Sequence, residues 1–159
     1  MKMPLRRALL VSALLLPLPA FAADTGPVAA LRSFFTDVTK SDYADAWAAF
    51  TSRSKQGIVN SVADSEHLDP TKVRKLFDTN DPSIQAGFWE NFKNSSQSGK
   101  FVEFAMAAGG PLKGSDDSVV ITLPNGNTVA LQMFHEGKGW KVGWMETFFP
   151  DNKVPVPAS

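Results

Sequence analysis

The chain has 159 residues, in which 16 lysines and arginines balance 16 aspartates and glutamates, and it contains no cysteine. Without cysteine the chain cannot form disulfides, thiolate zinc sites or a lipid anchor attached through a cysteine. Proteins that bind nucleic acid or anionic lipid usually carry an excess of basic residues, and this chain has none, so we expect no nucleic-acid partner.

The first 22 residues have the pattern of an export signal. Three basic residues come first: Lys2, Arg6 and Arg7. The apolar run that follows at 8–16 has about half of the roughly 20 residues that a membrane-spanning helix needs. Small residues at Ala20 and Ala22 then match the pattern that signal peptidase cleaves. We predict a signal peptide at 1–22 cut between Ala22 and Ala23, a periplasmic or secreted product, and no membrane anchor in the mature form.

The mature chain is mildly acidic, because removal of the signal leaves thirteen basic residues against sixteen acidic ones. Its length is typical of one domain that buries its own core. We predict a single domain over residues 23–149. Proline alternates with valine near the end of the chain, so residues 150–159 are predicted to form a disordered tail.

The first half of the mature chain has helical periodicity. Gly26-Pro27 is a typical helix start, and Leu31, Phe35 and Val38 then recur on one face. Four more helices are predicted to begin at capping residues: Asp42, Thr51, Asp69 and Asp81.

From Lys100 onward the period changes to two, which indicates strands. The predicted strands span 101–107, 118–123, 128–135 and 140–149. Asn125-Gly126 marks a hairpin turn, because both residues tolerate positive φ. Alternation in the last strand would turn Trp140, Trp144 and Glu146 toward the helices. The sequence therefore predicts an α+β fold, with N-terminal helices packed on an antiparallel sheet of about four strands.

Two short motifs resemble the nuclear transport factor 2-like superfamily. They are the polar-aromatic-Ala-x-Ala-Trp segment at 41–47 and the Gly-Trp-Lys-Val segment at 139–142. The resemblance implies a strongly bent, cone-like sheet around an internal pocket, as in exported bacterial members of unassigned function. Residues 53–80 depart from that pattern by adding helix. The superfamily includes isomerases, cyclases, hydrolases, binding proteins and assembly subunits, so the fold does not specify the activity.

Glu146 and Tyr43 are the candidates for catalysis. A carboxylate among aromatic rings would have a raised pKa suited to proton transfer, and a tyrosine hydroxyl could bond an enolate oxygen, as the resemblance to ketosteroid isomerase-type members implies. The alternative for Glu146 is a solvated position, if the sheet bends before it. The alternative for Tyr43, the only tyrosine, is packing in the core.

Five residues are candidates for lining a ligand pocket in the cone: Tyr43, Trp47, Phe104, Trp144 and Glu146. The alternative is that the many aromatic side chains simply fill the core. No cofactor is predicted. The loop around His67 is rich in acidic residues but lacks the spacing of a calcium loop, so we predict no metal site. His135 has no second histidine near it in sequence, so we do not predict a catalytic role for it.

The leading hypothesis is an exported soluble domain without enzymatic activity that binds a small apolar ligand or a protein partner. A homodimer could form through the outer sheet face, with Lys141, Met145, Thr147 and Phe149. The first alternative is a small isomerase, lyase or hydrolase that uses Glu146 with Tyr43. The second is an accessory protein of the cell envelope or of secretion.

Overall fold

The computed structural model describes residues 26–151. The predicted signal peptide, its cut between Ala22 and Ala23, and residues 152–159 of the predicted tail lie outside the described residues. No helix between residues 26 and 151 combines the length and apolar character needed to cross a bilayer.

Within the described residues the helices α1 to α8 are Pro27–Lys40, Tyr43–Ala49, Ser52–Glu66, Pro70–Asp78, Pro82–Ile84, Glu90–Ser96, Ser98–Phe101 and Trp144–Phe148, with a π-helical segment at Gln85–Trp89. The strands β1 to β4 are Ala105–Ala108, Asp117–Thr122, Thr128–Glu136 and Gly139–Gly143. All neighbouring strands are antiparallel, and they form one open, curved sheet in the order β1-β2-β3-β4. The predicted α+β fold class is confirmed.

The helices begin where capping chemistry places them. The Thr51 hydroxyl accepts the Ser54 N–H, and the Asp69 carboxylate accepts two backbone N–H groups at the start of α4. Asp81 caps α5 in the same way. These bonds satisfy amides that have no partner inside the helix, and the proline after each aspartate needs none. The starts predicted at Thr51, Asp69 and Asp81 are therefore confirmed.

One face of the sheet packs on α1 and forms the centre of the core. The strand register aligns Val119 with Leu131 and Met133 with Val142 across neighbouring strands. All four are at most 1% exposed. They contact the apolar face of α1, which contains Leu31, Phe34, Phe35 and Val38. The alternation of β2, β3 and β4 thus places one set of side chains against the helices.

The first strand is shorter than predicted. Residues 98–101 form α7 instead of the beginning of a strand, and β1 starts at Ala105. Phe101 stacks on Phe35 of α1, with ring centroids 4.8 Å apart. A helical turn brings this ring onto α1, and local periodicity could not show a contact across 66 residues of chain.

The last strand is also shorter than predicted, and its alternation stops at Gly143. Residues 144–148 form α8, which begins where Thr147 donates a side-chain hydrogen bond to the Gly143 carbonyl at 2.6 Å. Trp144 and Glu146 are therefore on a helix, not on the strand that carries Trp140. The two tryptophans are half-buried and pack against the core cluster.

Candidate functional site

Tyr43 is the first residue of α2, and its side chain is buried against the π-helical segment and the start of α6. Its ring stacks on Trp89, with centroids 5.2 Å apart and planes 3° from parallel. Its hydroxyl donates to Glu90 Oε1 at 2.5 Å. Burial, together with this bond to a carboxylate, raises the pKa of Tyr43. The predicted packing role of Tyr43 is thus present in the structure, with its hydroxyl held by an exposed glutamate.

Trp47 is also buried, and both its ring and its N–H have partners. The indole stacks on Phe77 at 4.3 Å, and its Nε1 donates to Asp78 at 2.9 Å. The Asp78 carboxylate accepts Arg74 Nε as well. Burial acts to raise the pKa of Asp78, but the bonds from Trp47 and Arg74 outweigh it and lower that pKa. The indole is therefore fixed in position from two sides.

Phe104 and Trp144 are half-buried at the edges of the aromatic core. Phe104 packs edge-on against Phe101, with centroids 5.4 Å apart. Trp144 contacts Phe92 at 4.8 Å and Phe148 at 4.6 Å. Aromatic contacts of this kind pack the interior at these two positions.

Glu146 is 7% exposed, so it is buried although the strand ends before it. Thr51 and Ser54 each donate a hydroxyl hydrogen bond of 2.7 Å to its carboxylate, one to each oxygen. The Ser54 hydroxyl accepts the Met145 N–H at 3.0 Å, and Gln132 donates to the Glu146 carbonyl at 2.8 Å. We call this set the Glu146 network. It places a carboxylate at the N-terminal end of α3, where the helix dipole favours negative charge.

Glu146 and Tyr43 thus have different hydrogen-bond partners. The Tyr43 hydroxyl is bonded to Glu90, and the Glu146 carboxylate to Thr51 and Ser54. The carboxylate lies among hydroxyls rather than among the aromatic rings that the alternation had implied. Catalysis by this pair stays a prediction, as does a pocket lined by the five predicted residues.

A groove of about 740 Å³ lies elsewhere, between α3, α4 and the segment from α5 to α6. Its lining residues are Ser61, Val62, Ser65, Glu66, Leu68, Val73, Leu76, Ser83, Ile84, Gly87, Phe88, Asn91, Phe92 and Ser95. We call it the α3–α4 groove. None of the five predicted pocket residues is in this set, although Phe92 also contacts Trp144.

The α3–α4 groove has an apolar floor and a polar rim. Val73, Ile84 and Phe92 are buried at its base. Most rim hydroxyls already bond within their own segments, as Ser65 does to the Val62 carbonyl. The side chains of Ser61 and Asn91, by contrast, form no hydrogen bond with another described residue. A ligand could therefore meet apolar surface below and unused hydrogen-bonding groups above.

Sequence reasoning missed this groove because three separate segments form it. The available signal was the extra helix at 53–80, since α3 and α4 supply two of its walls. Leu68, which follows α3, is 37% exposed beside the groove. Between residues 26 and 151 the structure contains no group of three or more histidine, aspartate or glutamate side chains that could hold a metal ion.

The outer sheet face predicted for a homodimer is partly covered within the protomer. Met145 is 3% exposed and packs against Gly57 of α3. The Lys141 ammonium donates to the Ala48 carbonyl at 2.8 Å. Thr147 and Phe149 remain half-buried. The dimer stays a prediction, with fewer accessible residues than the strand pattern suggested.

Comparison with known proteins identifies no relative. No protein-family model matches the chain, and neither a curated protein nor a solved structure matches it. The resemblance to the nuclear transport factor 2-like superfamily therefore stays a prediction from the two sequence motifs.

Proposed function

We propose that this protein is a non-enzymatic binding domain that holds a small amphipathic molecule in the α3–α4 groove. The observation that carries the proposal is the combination of a buried apolar floor with a rim of hydroxyl and amide groups. Its volume of about 740 Å³ lies within the range of about 300–1,000 Å³ common for small-molecule sites.

The chemistry of the lining residues favours a particular kind of ligand. Val73, Ile84 and Phe92 would cover an apolar body, whose removal from water supplies the main driving force. Ser61 and Asn91 would bond one polar group at the mouth. Glu66 is the single charged residue in the lining, so a neutral or cationic polar group suits the rim better than an anionic one.

The same residues favour binding over catalysis. The groove lining contains no histidine and only one carboxylate, so the nucleophile-and-base pairs of common hydrolytic sites are missing from it. Both oxygens of Glu146 are already bonded to hydroxyls. The isomerase, lyase or hydrolase alternative and the envelope or secretion accessory alternative stay predictions.

A neutral apolar dye, N-phenyl-1-naphthylamine, tests the groove. We expect its fluorescence to rise with the mature protein, and Ser61→Phe, which puts a ring into the groove, to weaken binding at least about tenfold. Thr71→Phe is the matched control, because Thr71 is an exposed hydroxyl residue of α4 outside the groove. Equal binding by both variants, or none by the parent protein, would contradict the proposal.

Native mass spectrometry of protein from its own host adds a second test. A retained small molecule that disappears in Ser61→Phe would support the groove as its site. A co-purified polypeptide in place of a small molecule would favour the accessory alternative.

We also propose that the domain acts after export to the periplasm or outside the cell. The support is the basic start, the short apolar run and the Ala20-Phe21-Ala22 pattern. N-terminal sequencing of the protein from a periplasmic or secreted fraction should begin at Ala23. A chain that keeps Met1 and stays in the cytoplasm would refute export.

A further inference from the structure

Two cationic side chains lie beside the Trp47 indole, and the charge of a third, Lys141, acts on one of them. The Lys55 ammonium of α3 is 5.6 Å from the ring centroid, and the Arg74 guanidinium carbon of α4 is 5.8 Å from it. Lys141 of β4 donates to the carbonyl of Ala48, the residue after Trp47. We call Trp47, Lys55, Arg74, Asp78 and Lys141 the Trp47 cluster.

The anionic groups near this cluster offset only part of its charge. Asp78 bonds Arg74 Nε through both oxygens, at 3.1 and 3.0 Å. The nearby Glu136 carboxylate is bonded to the backbone N–H and hydroxyl of Ser52, and it affects Lys55 only through space.

Lys55 and the outer guanidinium nitrogens of Arg74 have unused donors. In the part of the chain that the structure describes, neither the Lys55 ammonium nor these nitrogens have a hydrogen-bond acceptor. Burial, and then the nearby charges of Lys141 and Arg74, lower the pKa of Lys55. The cluster therefore holds like charges together without enough counter-charge.

Arg74 and Lys141 are held in place, and all three cationic side chains are accessible. Trp47 is held by Phe77 and Asp78, and the Arg74–Asp78 bond restricts the guanidinium. The Arg74 side chain is 40% exposed, and Lys55 and Lys141 are half-buried, so a solute can reach all three. Preorganised donors lose less entropy on binding.

We propose that the Trp47 cluster binds a dianionic phosphate group, either inorganic phosphate or a phosphate monoester. Asp78 offsets one of the three positive charges and the nearby Glu136 offsets part of another, so the cluster keeps a net positive charge that attracts a dianion. Donors that come from three elements, α3, α4 and β4, suit an anion with several acceptor oxygens, and a phosphate group has more of these than a carboxylate. This site is separate from the α3–α4 groove, and the proposal does not depend on the function proposed for that groove.

Isothermal titration of the mature protein with inorganic phosphate and with phenyl phosphate, each against sodium chloride of equal ionic strength, tests this. We expect saturable binding of about one phosphate group per chain. Binding of inorganic phosphate assigns the site to the free ion, and binding of phenyl phosphate alone assigns it to a monoester. Absence of binding by both compounds would overturn the proposal.

Two charge-removing variants locate the site. Lys55→Met keeps an apolar stem near the indole, and we expect it and Lys141→Met each to weaken binding at least about tenfold. Lys72→Met, on the exposed face of α4, should bind as the parent does. Far-ultraviolet circular dichroism confirms that each variant is folded. Equal weakening by Lys72→Met and Lys55→Met would refute a specific site.

Discussion

The Glu146 network and the Trp47 cluster both join polar side chains from distant parts of the chain, yet they differ in how completely those groups are paired. In the Glu146 network each carboxylate oxygen accepts a hydroxyl bond. In the Trp47 cluster Asp78 is fully engaged, while Lys55 has no acceptor between residues 26 and 151.

The difference separates two uses of polar groups. A buried carboxylate with bonded oxygens stabilises the fold and offers a ligand nothing. A half-exposed group of cations with unused donors gains from an added anion. The contrast favours a structural role for Glu146, the strongest catalytic candidate of the sequence, and it is the basis of the binding role proposed for Lys55, which the sequence did not single out.

Glu146→Ala tests the structural side of this contrast, and we expect it to have the largest effect on stability. The change leaves the Thr51 and Ser54 hydroxyls without their acceptor and removes two of the hydrogen bonds that join α8 to the start of α3. We expect the free energy of unfolding to fall by about 2–4 kcal/mol, because each unsatisfied buried group costs about 1–3 kcal/mol. Urea unfolding measures this loss.

Glu136→Ala is the control for Glu146→Ala, since Glu136 also bonds the start of α3 but from a less buried position. Loss of that contact should cost about 1 kcal/mol or less. If the parent protein has isomerase, lyase or hydrolase activity and Glu146→Ala loses it while staying as stable as the parent, the structural role of Glu146 would be contradicted.

The second largest effect concerns the place where β4 changes into α8. A Cβ at Gly143 would lie 2.5 Å from a Phe134 ring carbon and 3.0 Å from the Gln132 carbonyl oxygen. Gly143→Ala should therefore destabilise the protein by about 2 kcal/mol through overpacking. At Gly139 no atom beyond the neighbouring residues lies within 4 Å of the added carbon, so Gly139→Ala should be close to neutral in the same urea unfolding assay.

A smaller effect is expected from Asp78→Asn, which keeps an acceptor for Trp47 and removes one negative charge from the Trp47 cluster. Phosphate should bind roughly threefold more tightly, because the offsetting charge is gone. Calorimetric titration should detect the tighter binding; weaker binding would contradict the charge assignment.

Asp78 also gives the stability of the fold a pH dependence. Because the pKa of Asp78 is lowered in the fold, its stabilising contribution is fully present above its ordinary pKa of 3.8. The contribution is lost as the pH falls from that value through the lower pKa of the folded state.

The smallest expected effect is the pH dependence that Tyr43 gives to the free energy of unfolding. Burial and the bond to Glu90 raise the pKa of Tyr43. At a pH just above 10.0 the unfolded chain therefore releases the phenol proton, whereas the folded protein still keeps it. The free energy of unfolding should therefore decrease as the pH rises above the ordinary value of 10.0. Phenolate absorbance reports this directly, because Tyr43 is the only tyrosine. Glu90→Gln should lower the pKa, and an unchanged titration would contradict the role of Glu90.

The fold class and most helix starts could be predicted because they depend on local chemistry. Asp69 and Asp81 cap the helices that follow them, and the alternation in β2 and β3 reflects one buried face. The strand ends at 101 and 149 were wrong because distant contacts determine them. These are the packing of Phe101 on Phe35 and the hydrogen bonds that join residues 145–147 to Ser54 and Gln132.

The sites were harder to predict for the same reason. The sequence raised burial of Glu146 as one of two alternatives, but its hydroxyl partners are 95 and 92 residues away in sequence. The exposed positive face of α4 gave no sign that Arg74 lies beside the Trp47 indole together with Lys55. Such convergence depends on tertiary packing rather than on any spacing along the chain.

The link between Thr51 and Glu146 has a consequence for the order of assembly. The first turn of α3 bonds a carboxylate that follows it by more than 90 residues, so a chain synthesised only as far as α7 lacks this partner. Contacts between such distant residues form late, because closing a long loop costs entropy before any bond repays it. Truncation before residue 146 would therefore remove the acceptor of the Thr51 and Ser54 hydroxyls, and α3 reaches its final set of contacts only after α8 has been made.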